Sequence, residues 1–576
     1  MVSSICLLLP QPSPIFQRVG SDSGINVLPD DALFDIFDFC RWEDVPAWNH
    51  VGWYRLAHTC RRWRYIILSF PSRLHVHLYC TYGSPVADML SHSPPLPLII
   101  DYDGRQPLSA KDEEGALLAL HKHDRVRRIH LCASTTTLDK LLAAMNGPFL
   151  LLDHFGLFTQ HSNADKDESE GDKPDRPRLP QSFQAPHLRQ LDLSRVGDVT
   201  EVGLPLLTSL TSLVHLALVG IPAPSHLPLD YLASCLSLMP QLEYIGLVFE
   251  IYILSDDIAR EPIDLPNVKQ ISLPNLTGIF FQGDSAYLEG LAAQITAPHI
   301  TTFKATFLDQ PPSTLLYLSG LLTSAAGLRF PIARIKFPGT CVDDPNVTIC
   351  MASSERTLGR QSNLPSFKIG FPSQSLYAQV VSTGKICATL TPMFSAVERL
   401  HLGFDGTRWW FPHDRHIENA RWHDLLRPFC KVEKLEVDAA LWDLPLALSP
   451  NDNGESMEIL PQLRKILRSD DARFRDAFDG FIAARQDAGQ RIVKRRRVPI
   501  LYLDSEGSEG KEDEDERDGE EDEKQEGNEG EVELGIEDER EEAEEGGSNT
   551  DTESDTDPGF FTEIDSEPDF DPESKS

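Results

Sequence analysis

A short apolar pattern recurs along the middle of the chain: an apolar residue, two of any kind, an apolar residue, one of any kind, an apolar residue. It occurs at Val126/Ile129/Leu131, Leu152/Phe155/Leu157, Leu188/Leu191/Leu193, Leu213/Leu216/Leu218, Leu242/Ile245/Leu247 and Val268/Ile271/Leu273. Weaker copies follow at Ile300/Phe303/Ala305 and Ile332/Ile335/Phe337. The pattern continues at Leu364/Phe367/Ile369, Val397/Leu400/Leu402 and Val432/Leu435/Val437. First positions lie 26, 36, 25, 29, 26, 32, 32, 32, 33 and 35 residues apart. In each copy the last two apolar positions are separated by one residue, so both face the same side of a half-buried strand. Between copies the spacing turns helical: Leu138, Leu141, Leu142 and Met145 share one face, as do Trp422, Leu425, Leu426 and Phe429.

Strand then helix, at a period of roughly 30, is the signature of a leucine-rich repeat. The expected fold is therefore α/β, with strands stacked side by side and an extended concave surface on offer. The Asn or Cys that usually follows the third apolar position is missing, and Val196 and Ile221 stand there instead. The solenoid is thus expected to be irregular, without an Asn ladder. The long second interval contains DKDESEGDKPDRPR, inside a stretch, 159–181, that reads as a flexible charged loop.

Ahead of the repeats, residues 27–78 are dense in apolar and aromatic residues at helical spacing. Pro29 suits a first helical turn, where its missing N–H costs nothing. Asp30 and Asp31 favour the positive end of the helix dipole. Leu33, Ile36 and Phe37 form one apolar stripe, and Trp53, Leu56, Cys60, Trp63 and Ile66/Ile67 form a second. So short a set of helices buries little surface alone, and a partner or an adjoining domain is expected.

Leu28-Pro29, then Leu33, Ile36 and Phe37, then Leu56, Cys60 and Trp63 resemble an F-box, and RLAHTCRRWRYI is close to that family's last helix. The rest is similar to F-box proteins of the basidiomycete fungal type, in SPPLPLIIDY, WHDLLRPFCKVEKLEV and FIAARQDAG. The resemblance implies a helical hook that docks on a Skp-type adaptor of a cullin–RING ubiquitin ligase, with the repeats presenting an unknown protein substrate. Carried over residue by residue, Leu28, Pro29, Leu33, Ile36, Phe37, Leu56, Cys60, Trp63 and Ile66 form the adaptor-facing and helix-packing set. Which of them touch the adaptor and which hold the helices together stays open at this point. Two departures stand out: a longer loop from Arg41 to Gly52 carrying Trp48, and Thr59 before the cysteine. A helical cap on the repeat array is the other role open to this module.

The expected organisation is a disordered N-terminus, 1–26; the F-box, 27–78; a repeat region, 79–490; and a disordered acidic tail, 491–576. Net charge is −36 overall. From Leu501 onward 34 acidic residues face five basic ones, so the first 500 residues carry a net charge of only −7. That balance argues against a nucleic-acid binder run by a basic surface and against electrostatic membrane binding. No apolar run reaches the roughly 18 residues of a membrane span, and the start makes a poor signal peptide, so a cytoplasmic or nuclear chain is expected. The ten cysteines are scattered without a CxxC pair and read as reduced thiols.

No P-loop and no GxSxG elbow occurs. His413, Asp414, His416 and His423 lie near Trp409 and Trp410, but the spacing supports a loop or strand edge over a metal site. Trp409, Trp410 and Phe411 read as core, with an interaction patch as the alternative. Lys494 to Arg497 reads as the end of the folded region or an import signal. Ser505, Ser508, Ser548, Thr550, Thr552, Ser554 and Thr556 sit among acids, as sites for an acidophilic kinase do. A non-enzymatic receptor is expected, with no cofactor, metal, small-molecule ligand, nucleic acid or membrane. The alternative is a non-ligase repeat scaffold, or a binder of basic proteins such as histones through the tail.

Overall fold

The repeated pair of alternating apolar residues builds a sheet. In the computed structural model, residues 28–43, 52–69, 71, 74, 76–103, 108–160, 176–180, 182–196, 206–250, 270–309, 315–339, 346–354, 365–373, 375–405, 417–438, 441, 444–448, 459–468, 472–487, 489 and 492–496 are described. The strands are β1 (Leu78–Cys80), β2 (Leu98–Tyr102), β3 (Val126–Ala133), β4 (His154–Thr159), β5 (Gln190–Ser194), β6 (His215–Ile221), β7 (Tyr244–Phe249), β8 (Ile271–Ser272) and β9 (Gly278–Gly283). They continue as β10 (Ile295–Thr296), β11 (Thr302–Phe307), β12 (Ile332–Pro338), β13 (Asn346–Ala352), β14 (Ser366–Pro372), β15 (Arg399–Asp405), β16 (Lys434–Val437), β17 (Lys465–Arg468) and β18 (Val493–Arg496). Among the described residues, sixteen of these form one sheet, in the order β1-β2-β3-β4-β5-β6-β7-β9-β11-β14-β13-β12-β15-β16-β17-β18. Helices such as Ala110–Leu120, Thr135–Ala143, Leu229–Leu236 and Ser285–Gln294 return the chain between parallel neighbours, as parallel pairing requires. This mixed α/β arrangement around a long, mainly parallel sheet is consistent with a leucine-rich-repeat-like solenoid.

Two apolar rows run across the sheet. In register are Ile100, Ile129, Phe155, Leu191, Leu216, Ile245, Ile279, Phe303 and Phe367. Beside them run Tyr102, Leu131, Leu157, Leu193, Leu218, Leu247, Phe281, Ala305 and Ile369. All are buried. Each large side chain so withdrawn from water contributes about 1.5–3 kcal/mol, which is why the pattern dictates the register.

The structure corrects several expected copies. Of the copy Val268/Ile271/Leu273, Val268 lies outside the described residues and Ile271 is not in the main sheet: among the described residues β8 pairs only with β10, in a separate two-stranded sheet. The place in the row belongs to Leu276/Ile279/Phe281, which has the same spacing eight residues later. Gly278 permits that placement, because a Cβ there would lie 2.8 Å from the Tyr244 ring. The copies at Ile332 and Leu364 are not successive neighbours either. From β11 the chain passes over two positions to lay down β12, doubles back as antiparallel β13, and fills the gap with β14 beside β11. It then crosses, through the helix Leu376–Thr389, to β15 beyond β12. Strand β13, with Val347, Ile349 and Met351 buried, has no leading leucine and was not expected.

The ends also differ from the expected boundaries. β1 begins at Leu78, continuing the buried Leu74 and Val76. β18 lies in the stretch read as tail, and pairs parallel with β17. In the stretch read as a charged loop, Arg176 donates to the Gly220 carbonyl at 2.9 Å and to Glu250 at 2.6 Å, and Leu179 is buried. Residues 1–26, Trp48, Leu364, Trp409 to His416 and the tail from Leu501 lie outside the described residues.

Candidate functional site

Helices α1 (Asp30–Glu43), α2 (Gly52–Thr59) and α3 (Arg61–Ser69) precede the sheet. α1 starts one residue after Pro29, whose carbonyl accepts the Leu33 N–H at 3.1 Å. Asp30 accepts two bonds from Arg62 of α3, at 2.9 and 2.6 Å, and Arg62 also donates to the Leu28 carbonyl at 2.6 Å. This clamp joins the start of α1 to α3. The Trp63 N–H donates to Cys60 Sγ at 3.5 Å, in the joint before α3, and Arg64 reaches back to the Ala57 carbonyl at 3.0 Å.

At about 100° per residue, α1 carries apolar residues on two faces. Leu33, Phe34 and Phe37 turn inward to meet Ala57, Ile66 and Ile67 in the core shared with the sheet. Phe37 meets Trp63 edge to face, centroids 5.0 Å apart. On the opposite face, with Ala32, stand Ile36 at 38% exposure and Phe39 at 65%. Leu28 at 36% lies just ahead of the helix, and Tyr65 of α3 is 73% exposed.

The set carried over from the resemblance therefore divides. Leu28, Pro29 and Ile36 are exposed; Leu33, Phe37 and Ile66 are buried; Leu56, Cys60 and Trp63 are half-buried, with Leu56 and Trp63 packed on the core. Phe39, on the exposed face of α1, and Tyr65, exposed on α3, were missed by the sequence reading. The signal was available for Phe39, which falls three residues after Ile36.

The sheet face opposite the buried rows carries polar groups. In its N-terminal half, His130 meets Asp101 at 3.0 Å, and His215 meets Asp192 at 3.1 Å while stacking on Tyr244 at 4.3 Å. Gln190 donates to Asp192 at 2.8 Å. Burial pushes the Asp192 pKa up, but bonds from His215 and Gln190 outweigh it and hold the carboxyl below its ordinary range. Burial lowers His154, which lies 3.9 Å from the same carboxylate.

Among the described residues no group of three or more His, Cys, Asp or Glu side chains could hold a metal ion. His423 donates to the Ala447 carbonyl at 2.6 Å, a contact between two helices, and Trp422 is buried against Phe337. Seven described cysteines carry free thiols. No helix among the described residues is long and apolar enough to cross a membrane.

No family model and no curated protein matches the chain. Among solved structures, the leucine-rich repeat-containing protein LegL7 from Legionella pneumophila is similar over 70% of this chain and 97% of that one, at 10% identity and a TM-score of 0.22.

Proposed function

We propose that the chain is a non-enzymatic substrate receptor of a cullin–RING ubiquitin ligase. Its N-terminal helices dock on a Skp-type adaptor, and the sheet region holds a protein substrate near the ubiquitin-charged enzyme. Rate enhancement then comes from raised local concentration and orientation. The observation that carries the reading is the second apolar face of α1, where Ile36 and Phe39 stay exposed, as does Leu28 just ahead of the helix, while Leu33 and Phe37 fill the core. Exposed apolar groups on a short helical module are what a docking partner buries, at about 25 cal/mol per Å².

The test is co-purification of the full chain with a Skp-type adaptor, comparing wild type with Leu28→Ala/Pro29→Ala. Stable capture lost in the variant supports the docking face. Absence of capture in both sinks the ligase assignment. It leaves a repeat scaffold, or a tail that binds basic proteins in a salt-sensitive way.

A further inference from the structure

On the open face of the sheet, glycines stand beneath aromatic rings. A Cβ at Gly156 would lie 3.0 Å from the Phe158 ring and 3.1 Å from His130. At Gly246 it would lie 3.2 Å from the Tyr244 ring, and at Gly278 2.8 Å from the same ring. Glycine at these positions lets the rings rest against backbone. The His130 and Phe158 centroids are 5.0 Å apart, and Tyr244 stacks on His215 within 8° of parallel. All four rings are half-buried, so each keeps part of its surface in solvent. Strands lie about 4.8 Å apart, so the patch runs roughly 19 Å from β4 to β9.

A carboxylate lies among these rings. Asp192 is held ionised by bonds from His215 and Gln190. A carboxylate has about four acceptor sites, so these two donors leave it capacity for more. Its charge reaches the neighbouring ring: burial and Asp192 together push the Tyr244 phenol up. None of the strands from β2 to β9 contains a lysine. Their two arginines, Arg127 and Arg128, both reach Asp153, at 2.6 and 3.5 Å. Burial holds the His154 pKa down, so that ring favours its neutral form and does not offset the Asp192 charge.

We infer that this patch receives an arginine side chain of a protein partner, seated over Ala217 between the Asp192 carboxylate and the Tyr244 ring. The inference rests on the sheet region being the substrate-holding part and is independent of the adaptor contact. Register places Ala217 between Asp192 and Gly246, the glycine beneath Tyr244, and along β6 between His215 and Val219. A small residue there leaves the seat low. A guanidinium is planar, stacks on an aromatic face and keeps donors in its plane for a carboxylate. The ring quadrupole attracts the same charge. A lysine ammonium is more strongly hydrated and does not stack. An apolar side chain would strip water from Asp192 without replacing its bonds, and a phosphate would meet its repulsion. The patch ends where Lys304 stands beside Phe280.

The experiment is saturation-transfer difference NMR on the full chain, with an alanine peptide carrying one central arginine, and the same peptide with citrulline or lysine there. The arginine peptide is expected to bind, the lysine peptide more weakly, and the peptide of citrulline, an uncharged isostere, not at all. Tyr244→Leu keeps an apolar group but no ring, and is expected to weaken arginine binding by about fivefold. Asp192→Asn keeps an acceptor for His215 and Gln190, and is expected to weaken it by about tenfold. Tyr244→Phe is expected to retain it. Attraction of a cationic peptide to the acidic tail depends on neither Tyr244 nor Asp192 and does not reproduce this order. Asp192→Asn provides the test if Tyr244→Leu fails to fold. No binding of the arginine peptide, equal binding of the lysine or citrulline peptide, or indifference to both substitutions overturns the proposal. Adaptor capture by the same variants separates this outcome from failure of the docking face: it is expected to be unchanged.

Discussion

Replacing Phe37 and Phe39 by alanine, one at a time, separates holding the helices together from meeting a partner. The two residues have the same chemistry and lie two positions apart on α1, yet Phe37 is 3% exposed and Phe39 is 65%. Phe37→Ala removes a ring packed edge to face on Trp63 and leaves a cavity, which costs about 3–5 kcal/mol. Phe39 has only about a third of its surface withdrawn and leaves no cavity, so its loss costs about 0.5–1 kcal/mol, a third of full burial. Hydrogen exchange of the amides of α1 and α3 reads these values as opening free energies. At about 1.4 kcal/mol per factor of ten, Phe37→Ala speeds exchange by roughly two to three and a half decades, and Phe39→Ala by less than about tenfold. Under the proposed docking the order reverses: Phe39→Ala is expected to weaken adaptor capture by about 30-fold, as loss of a hot-spot aromatic does, with the helices intact. Equal acceleration of exchange by the two substitutions would refute the assignment of faces.

Arg62→Ala is expected to cost about 0–1 kcal/mol, because the Arg62 and Asp30 side chains are 35% and 62% exposed and such pairs are screened; a thermal-shift loss well above this would show the clamp to be stronger than its geometry. Iodoacetamide at pH 8 is expected to label exposed Cys430 well before Cys80, since the thiolate is the nucleophile and burial pushes the Cys80 pKa up to about 12; mass spectrometry of early time points decides. For His154, burial lowers the pKa below its ordinary 6.5, so the folded chain favours the neutral ring. The associated stability is present above pH 6.5 and is lost as pH falls through the lowered value. Urea midpoints at pH 7.5 and 5.5 are expected to converge in His154→Gln, and an unchanged pH dependence would contradict the role of this ring.

The sheet was legible in the sequence because burial on one face imposes a two-residue alternation, and a preceding leucine closes each turn. Leu191/Leu193, Leu216/Leu218 and Ile245/Leu247 follow that rule and lie in register. Strand order was not legible, because alternation is blind to direction: Ile349 and Met351 bury themselves equally well in an antiparallel strand. The copy at Val268 failed for a different reason. Two candidate triplets of the same spacing lie eight residues apart, and the spacing does not choose between them; the one in the row has Gly278, whose missing side chain leaves room for Tyr244. At the N-terminal helices, periodicity identified residues that pack but gave no means of sorting Ile36 from Phe37, since each lies on an apolar face. The ring patch was invisible for a related reason. Phe158, Asp192, His215 and Tyr244 are far apart in sequence and come together only through the register of β4 to β7.

The reversal of β12 to β14 also governs how the chain can assemble. In a plain repeat array each unit rests on the one before it, and folding propagates along the stack. Here growth from the N-terminal side meets a gap after β11. β12 pairs with β13 as the chain doubles back, but neither is joined to β11 until β14 fills the gap between them. The strands from Thr302 to Asp405 are therefore expected to form and melt as one cooperative block, and a version of the chain that ends after β12 or β13 leaves a ladder edge open in its middle. Unravelling from either end is expected to stop at this block, with the strands on its two sides loosening independently.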